Sequence, residues 1–200
     1  MVFLMAKFWL TTKNNEAGEP WLDVAQSLDV RGAPSLEQKT TELFELFYEP
    51  VYRYARSLIG SQAEAEDLAQ EAFLRLYTSL QEGQAIGNAR SWVFRVAHNL
   101  AIDHLRRASH LEQAVPEVWQ MSEERPDVAP NAEQRMIEQE RRQRLRRAMM
   151  RLSPQERYCL DLRAEGLSYR EIAEVLGVSV SSVNTFLSRG IKKIAGELHE

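Results

Sequence analysis

From Thr41 onward, apolar residues recur at three- and four-residue spacing in three successive stretches. This spacing places them on one face of an α-helix, whereas a half-buried strand would alternate apolar and polar residues, which no stretch of the sequence does. The pattern predicts an all-α domain over residues 39–107. Its apolar stripes comprise Leu43, Phe44, Leu46, Phe47, Val51, Tyr54, Ala55, Leu58 and Ile59, then Ala65, Leu68, Ala69, Ala72, Phe73, Leu76 and Leu80, then Trp92, Val93, Val96, Ala97, Leu100, Ala101 and Leu105.

Helix breakers and capping residues separate these stretches. Pro50 cannot donate a backbone hydrogen bond and is expected to kink or divide the first helix. Gly60 is expected to end that helix, because glycine readily adopts the left-handed conformation found at helix C-termini. Ser61 and Glu64 have the spacing of a capping box and therefore predict the start of the second helix.

The rest of the chain divides into an extension, a linker and a second helical domain. Residues 1–38 show weak periodicity and are predicted to be partly disordered. Residues 108–133 combine three prolines with six acidic residues against the single cation Arg125. Such segments bury too little apolar surface to offset the entropy of ordering them. Because residues 134–200 again have a helical pattern, the predicted architecture is two small helical domains joined by a flexible linker.

Residues 168–194 have the spacing of a helix-turn-helix. Capping boxes begin at Ser153 and at Ser168, and the second of these starts the first helix of the motif. Gly177 supplies the positive φ that the turn requires, and Ser179 can cap the second helix. The residues predicted to face the core from that second helix are Val183, Leu187, Ile191 and Ile194.

The outward face of the second helix carries short polar side chains near its start and cations near its end. Short polar groups at the start of such a helix can approach base edges in the major groove, while the later cations suit phosphates. The same pattern also fits a small helical hairpin with a solvated polar face. The residues predicted to bind duplex DNA are Ser179, Ser181, Ser182, Asn184, Thr185, Ser188, Arg189, Lys192 and Lys193.

The remaining chemistry-bearing residues form no catalytic or metal-binding pattern. Cys159 is the only cysteine, so neither an internal disulfide nor a C-x-x-C pair can form. The histidines His98, His104, His110 and His199 have no HExxH or cysteine partners. We therefore expect no catalytic residue, no metal and no cofactor, and we expect that the protein is not an enzyme.

Charge and hydropathy bear on partners and location. The formal net charge is −4, which for the whole chain argues against nucleic-acid binding, but Arg90 to Arg107 contains four arginines against one aspartate. The apolar start, Met1 to Leu10, lacks a basic leader and a small-residue cleavage site, and no apolar run approaches the length of a membrane span. A cytoplasmic location without membrane insertion is therefore expected.

The sequence resembles the sigma-70 family of RNA polymerase factors, especially the small extracytoplasmic-function (ECF) group. Region 4 of that family is similar to LSPQERYCLDLRAEGLSYREIAEVLGVSVSSVN, and region 2 is similar to AEAEDLAQEAFLRLYTSL and RSWVFRVAHNLAIDHLRR. The blocks cover residues 40–107 and 135–195 in the family's order, with no third domain between them. The resemblance implies a sigma factor that binds core RNA polymerase and directs promoter-specific initiation. Region 2 would contact the polymerase clamp and melt and read the −10 element, and region 4 would contact the flap and read the −35 element.

The resemblance also assigns roles to individual residues of the first domain. The residues that match the clamp-binding helix are Glu66, Asp67, Leu68, Gln70, Glu71, Phe73 and Leu74. The residues that match the helix handling the −10 strand are Ser91, Arg95, His98, Asn99, Asp103, Arg106 and Arg107. The loop over residues 84–89 matches the pocket for a flipped base, with Asn88 as its expected polar contact. Trp92 is expected in the core, and the position of Phe94 is left open.

The recognition helix departs from the family pattern after Val183. The family usually has a basic residue, Ser and Arg at the next three positions, whereas this chain has Asn184, Thr185 and Phe186. Fewer cations predict weaker binding to the DNA backbone and a shallower salt dependence. Phe186 is at the edge of the apolar stripe and is expected to pack instead of touching DNA.

The expected partners are core RNA polymerase, promoter DNA in duplex and melted form, and an anti-sigma factor, which the family often uses. The alternative function is a helix-turn-helix regulator that binds duplex DNA without polymerase. That alternative explains the second domain but leaves residues 40–107 unexplained.

Overall fold

The computed structural model describes residues 36–111 and 132–199, and within these ranges the chain forms seven helices and no strand. The predicted extension and most of the predicted linker lie outside the described residues. The linker expected over residues 108–133 is helical at both ends, since one helix continues to Leu111 and the next begins at Ala132. In chain order the helices are α1 (Leu36–Ile59), α2 (Gln62–Gln81), α3 (Ala89–Leu111), α4 (Ala132–Met150), α5 (Pro154–Ala164), α6 (Tyr169–Leu176) and α7 (Val180–His199).

Helix α1 runs through Pro50 without a break, so the expectation that the proline divides the helix is wrong. Proline leaves the carbonyl four residues earlier, that of Leu46, without its usual donor. Leu46 is 54% exposed, so water can take the place of that donor. Gly60 ends the helix as predicted, with a φ of 82° and an N–H that donates to the carbonyl of Arg56 at 2.9 Å.

Helix α2 begins at the predicted cap, but the capping box is only half formed. The Ser61 hydroxyl accepts a hydrogen bond from the backbone N–H of Glu64. The Glu64 carboxylate lies 3.3 Å from Nε2 of His104 on α3 instead of returning to the cap. This contact ties the start of α2 to α3.

Helices α1, α2 and α3 form the N-terminal bundle, which confirms the predicted all-α domain. Alanines on α2 and α3 let the helices approach closely, and aromatic rings fill the remaining space. The rings of Phe44 and Phe73 meet edge to face at 5.1 Å. The buried residues at the centre of this bundle are Val51, Tyr54, Leu58, Ala69, Ala72, Leu76, Val93, Phe94, Ala97 and Ala101.

Helices α4 to α7 form the C-terminal bundle, in which α6 and α7 are the two helices of the predicted helix-turn-helix. Both capping boxes are formed, at Ser153 and at Ser168. Gly177 has the left-handed conformation that the turn requires, with a φ of 65°. The buried apolar residues of this bundle include Ala148, Cys159, Leu162, Leu167, Ile172, Ala173, Val175, Val183 and Leu187.

The two bundles pack against each other through α3 with α6 and α1 with α5. Buried apolar residues from both bundles belong to one continuous cluster. Hydrogen bonds and ion pairs surround that cluster, joining residues more than a hundred positions apart, such as Arg53 and Glu165. The sequence predicted each bundle but not this contact between them.

Candidate nucleic-acid interface

The start of α7 presents a cluster of hydroxyl groups. Ser179 caps the helix as predicted, because its Oγ accepts the backbone N–H of Ser182 at 3.1 Å. The same oxygen lies 2.8 Å from the hydroxyls of Ser181 and of Ser182. The hydroxyl of Thr185 donates to the carbonyl of Ser181 at 2.9 Å. These short polar groups surround the N-terminus of α7, where the helix dipole also favours the binding of phosphate.

Further along α7, the candidate DNA contacts share one exposed face. Asn184, Ser188, Arg189 and Lys192 are all exposed to solvent. Lys193 differs, because its Nζ donates to Oε2 of Glu156 at 2.7 Å and to the carbonyl of Arg151 at 3.1 Å. In this structure Lys193 therefore fastens α7 to the rest of its bundle.

The aromatic residue on the recognition helix packs inward. Phe186 is partly buried against the core formed by Val183 and Leu187. Its side chain therefore serves the packing of α7, in agreement with the expectation from its position at the edge of the apolar stripe. The exposed polar face begins beside it, at Asn184 and Thr185.

Helix α3 carries the second candidate surface. Arg95, Asn99 and Asp103 are exposed and lie four residues apart, so they share one helix face, which Arg106 and Arg107 extend. The Arg106 guanidinium lies 3.6 Å from the Asp103 carboxylate. Three of these five side chains are cationic, which makes the face suitable for a phosphate backbone.

The loop before α3 serves as its cap. The Asn88 side-chain oxygen accepts the backbone N–H of Ser91 at 3.0 Å. Asn88 also donates to Glu171 on α6 at 3.3 Å, and Ser91 donates to Glu174 at 2.6 Å. Ser91 is only 4% exposed. In this arrangement the C-terminal bundle covers Ser91, whereas Asn88 stays exposed although it donates a hydrogen bond to Glu171.

His98 is a second candidate on α3 that contacts the C-terminal bundle, and it is partly buried. Its Nδ1 lies 2.7 Å from the hydroxyl of Tyr54, and its ring meets that of Tyr158 on α5 edge to face at 5.0 Å. Burial lowers the pKa of His98 from 6.5 to about 4. The ring is therefore neutral near neutral pH and cannot act as a cation toward phosphate.

The aromatic residues near the candidate strand surface lie in the core. Phe94 is completely buried, so it packs the N-terminal bundle and is not available for base stacking. Trp92 is partly buried against the same core, as predicted. The exposed part of α3 therefore contributes charge and hydrogen-bonding groups.

Helix α2 presents a mixed acidic and apolar face. Asp67 and Gln70 are exposed, and Leu74 is 62% exposed. Phe73 is buried among the aromatic residues of α1, and Leu68 is partly buried. Of the residues matched to clamp binding, Phe73 and Leu68 therefore pack in the core of the bundle. The others lie at the surface, where Glu66 accepts a hydrogen bond from Gln62 and Glu71 pairs with Arg75.

A partly buried polar cluster at the contact of α1 with α5 was not predicted. The Ser57 hydroxyl donates to the Asp161 carboxylate at 3.0 Å, and Arg157 donates to the Ser57 carbonyl at 2.5 Å. Burial raises the pKa of Asp161 from 3.8 to about 6, although the Arg157 charge opposes this shift. In the sequence these residues read as the polar face of an amphipathic helix, and no local signal marks them as a contact site.

The contact of α1 with the end of α5 holds a charged pair that the sequence did not indicate either. Both nitrogens of the Arg53 fork donate to the Glu165 carboxylate, at 2.6 Å from Nη2 and 3.2 Å from Nε. Arg90 adds a hydrogen bond to the Glu165 backbone carbonyl at 2.7 Å. Burial raises the pKa of Glu165, against the opposing effect of Arg53.

Within residues 36–111 and 132–199, no group of three or more His, Cys, Asp or Glu side chains is placed to hold a metal ion. In the same part of the chain, every helix is too short or too polar to cross a bilayer. Cys159 is buried, and burial raises the pKa of its thiol to about 12, so it behaves as an apolar core residue.

The paired bundles define a class of protein. Residues 43–110 match the Sigma-70 region 2 family, and residues 142–194 match the Sigma-70, region 4 family. The chain is 34% identical over 168 residues to the ECF RNA polymerase sigma factor SigE of Mycolicibacterium smegmatis, which covers 83% of this chain and 64% of SigE. It is 33% identical over 135 residues to the ferric citrate uptake sigma factor FecI of Escherichia coli, covering 67% of this chain and 76% of FecI. The chain belongs to the ECF group of the sigma-70 family.

A solved structure shares the fold. The sigma factor RpoE of Bartonella quintana, in complex with the anti-sigma factor NepR, matches with a TM-score of 0.60 and 20% sequence identity. The match covers 80% of this chain and 97% of RpoE. It supports the all-α fold with two bundles.

Proposed function

We propose that this chain binds core RNA polymerase as a sigma factor and directs initiation at promoters that carry −10 and −35 elements. The observation that carries the proposal is the presence, in one chain, of a bundle matching region 2 and a helix-turn-helix bundle matching region 4. A regulator that binds only duplex DNA would need the C-terminal bundle alone. The N-terminal bundle therefore favours the sigma function over that alternative.

In the proposed division of roles, α7 reads duplex DNA at the −35 element. The hydroxyl groups at its start and the exposed Asn184 and Thr185 face the major groove. Arg189 and Lys192 contact phosphates and so fix the position of the helix without reading sequence. Because Lys193 is engaged with Glu156, its part is to hold α7 in place.

The N-terminal bundle binds the polymerase and the melted DNA strand through different helices. The surface of α2 around Asp67, Gln70 and Leu74 faces the polymerase, and the exposed face of α3 from Arg95 to Arg107 follows the −10 strand. Separate helices allow both partners to bind at once. Residues 1–38 and 108–133 are proposed to be an extension and a linker, outside these two binding bundles.

An anti-sigma factor is proposed as a further partner. The relative RpoE forms a complex with NepR, and the present chain shares its fold. We place the protein in the cytoplasm with the polymerase and DNA, and we assign it no catalytic activity of its own.

The polymerase contact can be tested by replacing Leu74 with Glu. Leu74 is exposed on α2, so a charge there should not disturb the core but should weaken binding to core polymerase by about tenfold, as expected for an apolar interface anchor. Leu46→Glu is the matched control, because Leu46 is also an exposed leucine, on α1. Gel filtration with purified core polymerase measures the binding. If the unaltered chain does not co-elute with core polymerase, the proposed function is wrong.

A further inference from the structure

A cavity between the C-terminal halves of α4 and α7 is lined by charged side chains. Among the residues that the structure describes, its lining consists of Arg144 and Arg147 on α4, Arg151 directly after that helix, and Glu197 on α7. Its volume of about 300 Å³ lies at the small end of the range for small-molecule sites. Because the lining is charged, the cavity suits a ligand that carries several charges itself.

Helical spacing brings the three arginines together. Arg144, Arg147 and Arg151 are three and four positions apart, and the backbone N–H of Arg151 continues the turn by donating to the Ala148 carbonyl at 3.1 Å. They therefore share one face. Ala148 lies in the same stripe and is completely buried, so the middle of the stripe packs against the bundle. The arginine side chains extend from either side of this packed point.

Two contacts fix the walls of the cavity. The Nζ of Lys193 on α7 donates to the Arg151 backbone carbonyl at 3.1 Å, and the Arg151 guanidinium forms an ion pair with the Glu197 carboxylate. The Glu197 side chain is 7% exposed, whereas the Arg151 side chain is 67% exposed. The carboxylate is thus part of the wall, and the guanidinium remains accessible from the solvent.

The charges around the cavity do not balance. The lining has one carboxylate against three guanidiniums, and that carboxylate pairs with Arg151. Within residues 36–111 and 132–199, the guanidiniums of Arg144 and Arg147 form no ion pair. Like charges at this helical spacing destabilise a helix. An anion with several negative oxygen atoms, bound in the cavity, would offset the repulsion.

We propose that this cavity binds an oligophosphate, either inorganic pyrophosphate or the di- or triphosphate group of a small molecule. A guanidinium offers two parallel N–H donors that match two phosphate oxygens. Several guanidiniums around one concavity can therefore hold neighbouring phosphates of the same ligand. A DNA duplex has the same phosphate chemistry, but its phosphates follow a convex backbone, so the concave shape favours the small ligand.

This site goes beyond the proposed function. Glu197 is nine positions after Ser188, which is two and a half helical turns, so the two residues lie on opposite sides of α7. Ser188 is exposed on the face proposed to read DNA, whereas Glu197 is buried against α4. The ligand would therefore bind behind the recognition helix and bridge it to α4.

Isothermal titration of the full chain with inorganic pyrophosphate, at about 0.15 M salt to screen general attraction, measures the binding. Arg147→Gln removes one lining charge from an exposed side chain and should weaken binding by about tenfold. Arg146→Gln is the matched control, because Arg146 is exposed on the same helix and does not line the cavity. The control loses the same charge and should keep its affinity within about twofold.

Thermal unfolding gives a second readout. A ligand that binds only the folded chain raises its stability. Pyrophosphate should therefore raise the Tm of the unaltered chain and of Arg146→Gln, and it should change the Tm of Arg147→Gln much less. Sodium chloride at the same ionic strength is the control for general effects of salt, and circular dichroism checks that both variants keep their helix content.

The proposal is overturned if the unaltered chain does not bind pyrophosphate, or if the two variants lose affinity equally, since the binding would then follow net charge alone. A mixed-sequence duplex of about 20 base pairs distinguishes the other source of phosphate. If Arg147→Gln binds the duplex more weakly but pyrophosphate as well as the unaltered chain does, the arginines contact the DNA backbone and the proposal is wrong. Core polymerase takes no part in these measurements, so a failure to direct initiation would contradict the proposed function alone.

Discussion

His98 and Asp161 both lie at the contact between the bundles, and their pKa values shift in opposite directions. The pKa of His98 falls to about 4, so the unfolded chain takes up this proton at a higher pH than the folded chain. The stability from neutral His98 is complete above about pH 6.5 and is lost toward about pH 4. The pKa of Asp161 rises to about 6, so the folded chain takes up that proton first, and lower pH stabilises it.

Replacing one of these two residues should reveal how the other changes the free energy of unfolding with pH. On going from about pH 7 to about pH 5, His98→Gln should gain about 1 to 2 kcal/mol of unfolding free energy relative to the unaltered chain, and Asp161→Asn should lose about the same amount. Urea unfolding at both pH values measures the difference. If both variants follow the unaltered chain across this range, the burial of these groups is not as described.

At the scale of elements, helices α5 and α7 approach closely because residue 190 is glycine. A Cβ at this position would lie 2.9 Å from Cδ1 of Leu160 and 3.6 Å from Cβ of Glu156. Gly190→Val should therefore lower the unfolding free energy by about 1 to 3 kcal/mol through overpacking. Gly196→Ala is the control, because a Cβ there meets nothing within 4 Å. Better helix propensity should make that variant about 0.5 to 1 kcal/mol more stable. Thermal unfolding of the two variants compares them directly, and equal effects would refute the close packing.

Restoring one of the cations that α7 lacks tests whether this face of the helix contacts DNA. Asn184 is exposed at a position where the family usually has a basic residue. Asn184→Arg should add one phosphate contact, strengthen binding to duplex DNA and steepen the plot of log K against log salt by about 0.9. Gln81→Arg, at an exposed site of the other bundle, provides the same change in charge away from α7. A salt slope that changes equally in both variants would mean that Asn184 does not face the DNA.

The helices and their ends could largely be predicted from the sequence because the determining signals are local. The boxes at Ser153 and Ser168 and the turn at Gly177 each depend on residues within one helical turn. The exceptions have different origins. Pro50 lies four residues after the exposed Leu46 within a continuous helix. Glu64 contacts His104 on a neighbouring helix, and this tertiary contact has no local signal.

At the scale of the whole molecule, the contact between the bundles could not be predicted. Arg53 and Glu165 are separated by 112 positions, and each by itself is an ordinary surface charge on an amphipathic helix. For the same reason, the burial of Ser91 and His98 under the C-terminal bundle has no signal in the sequence around them. Whether the candidate strand surface is exposed therefore depends on tertiary structure, whereas the residues that form it can be identified from the sequence of α3.

As a sigma factor, this chain is expected to make core RNA polymerase selective for promoters. The test is run-off transcription from a genomic fragment library, with purified core polymerase and the RNA 5′ ends sequenced. We predict that adding the chain produces a distinct set of start sites that share two upstream elements at constant spacing, near −10 and −35. Start sites identical to those of core polymerase alone, under conditions where the chain is folded and in excess, would contradict the claim.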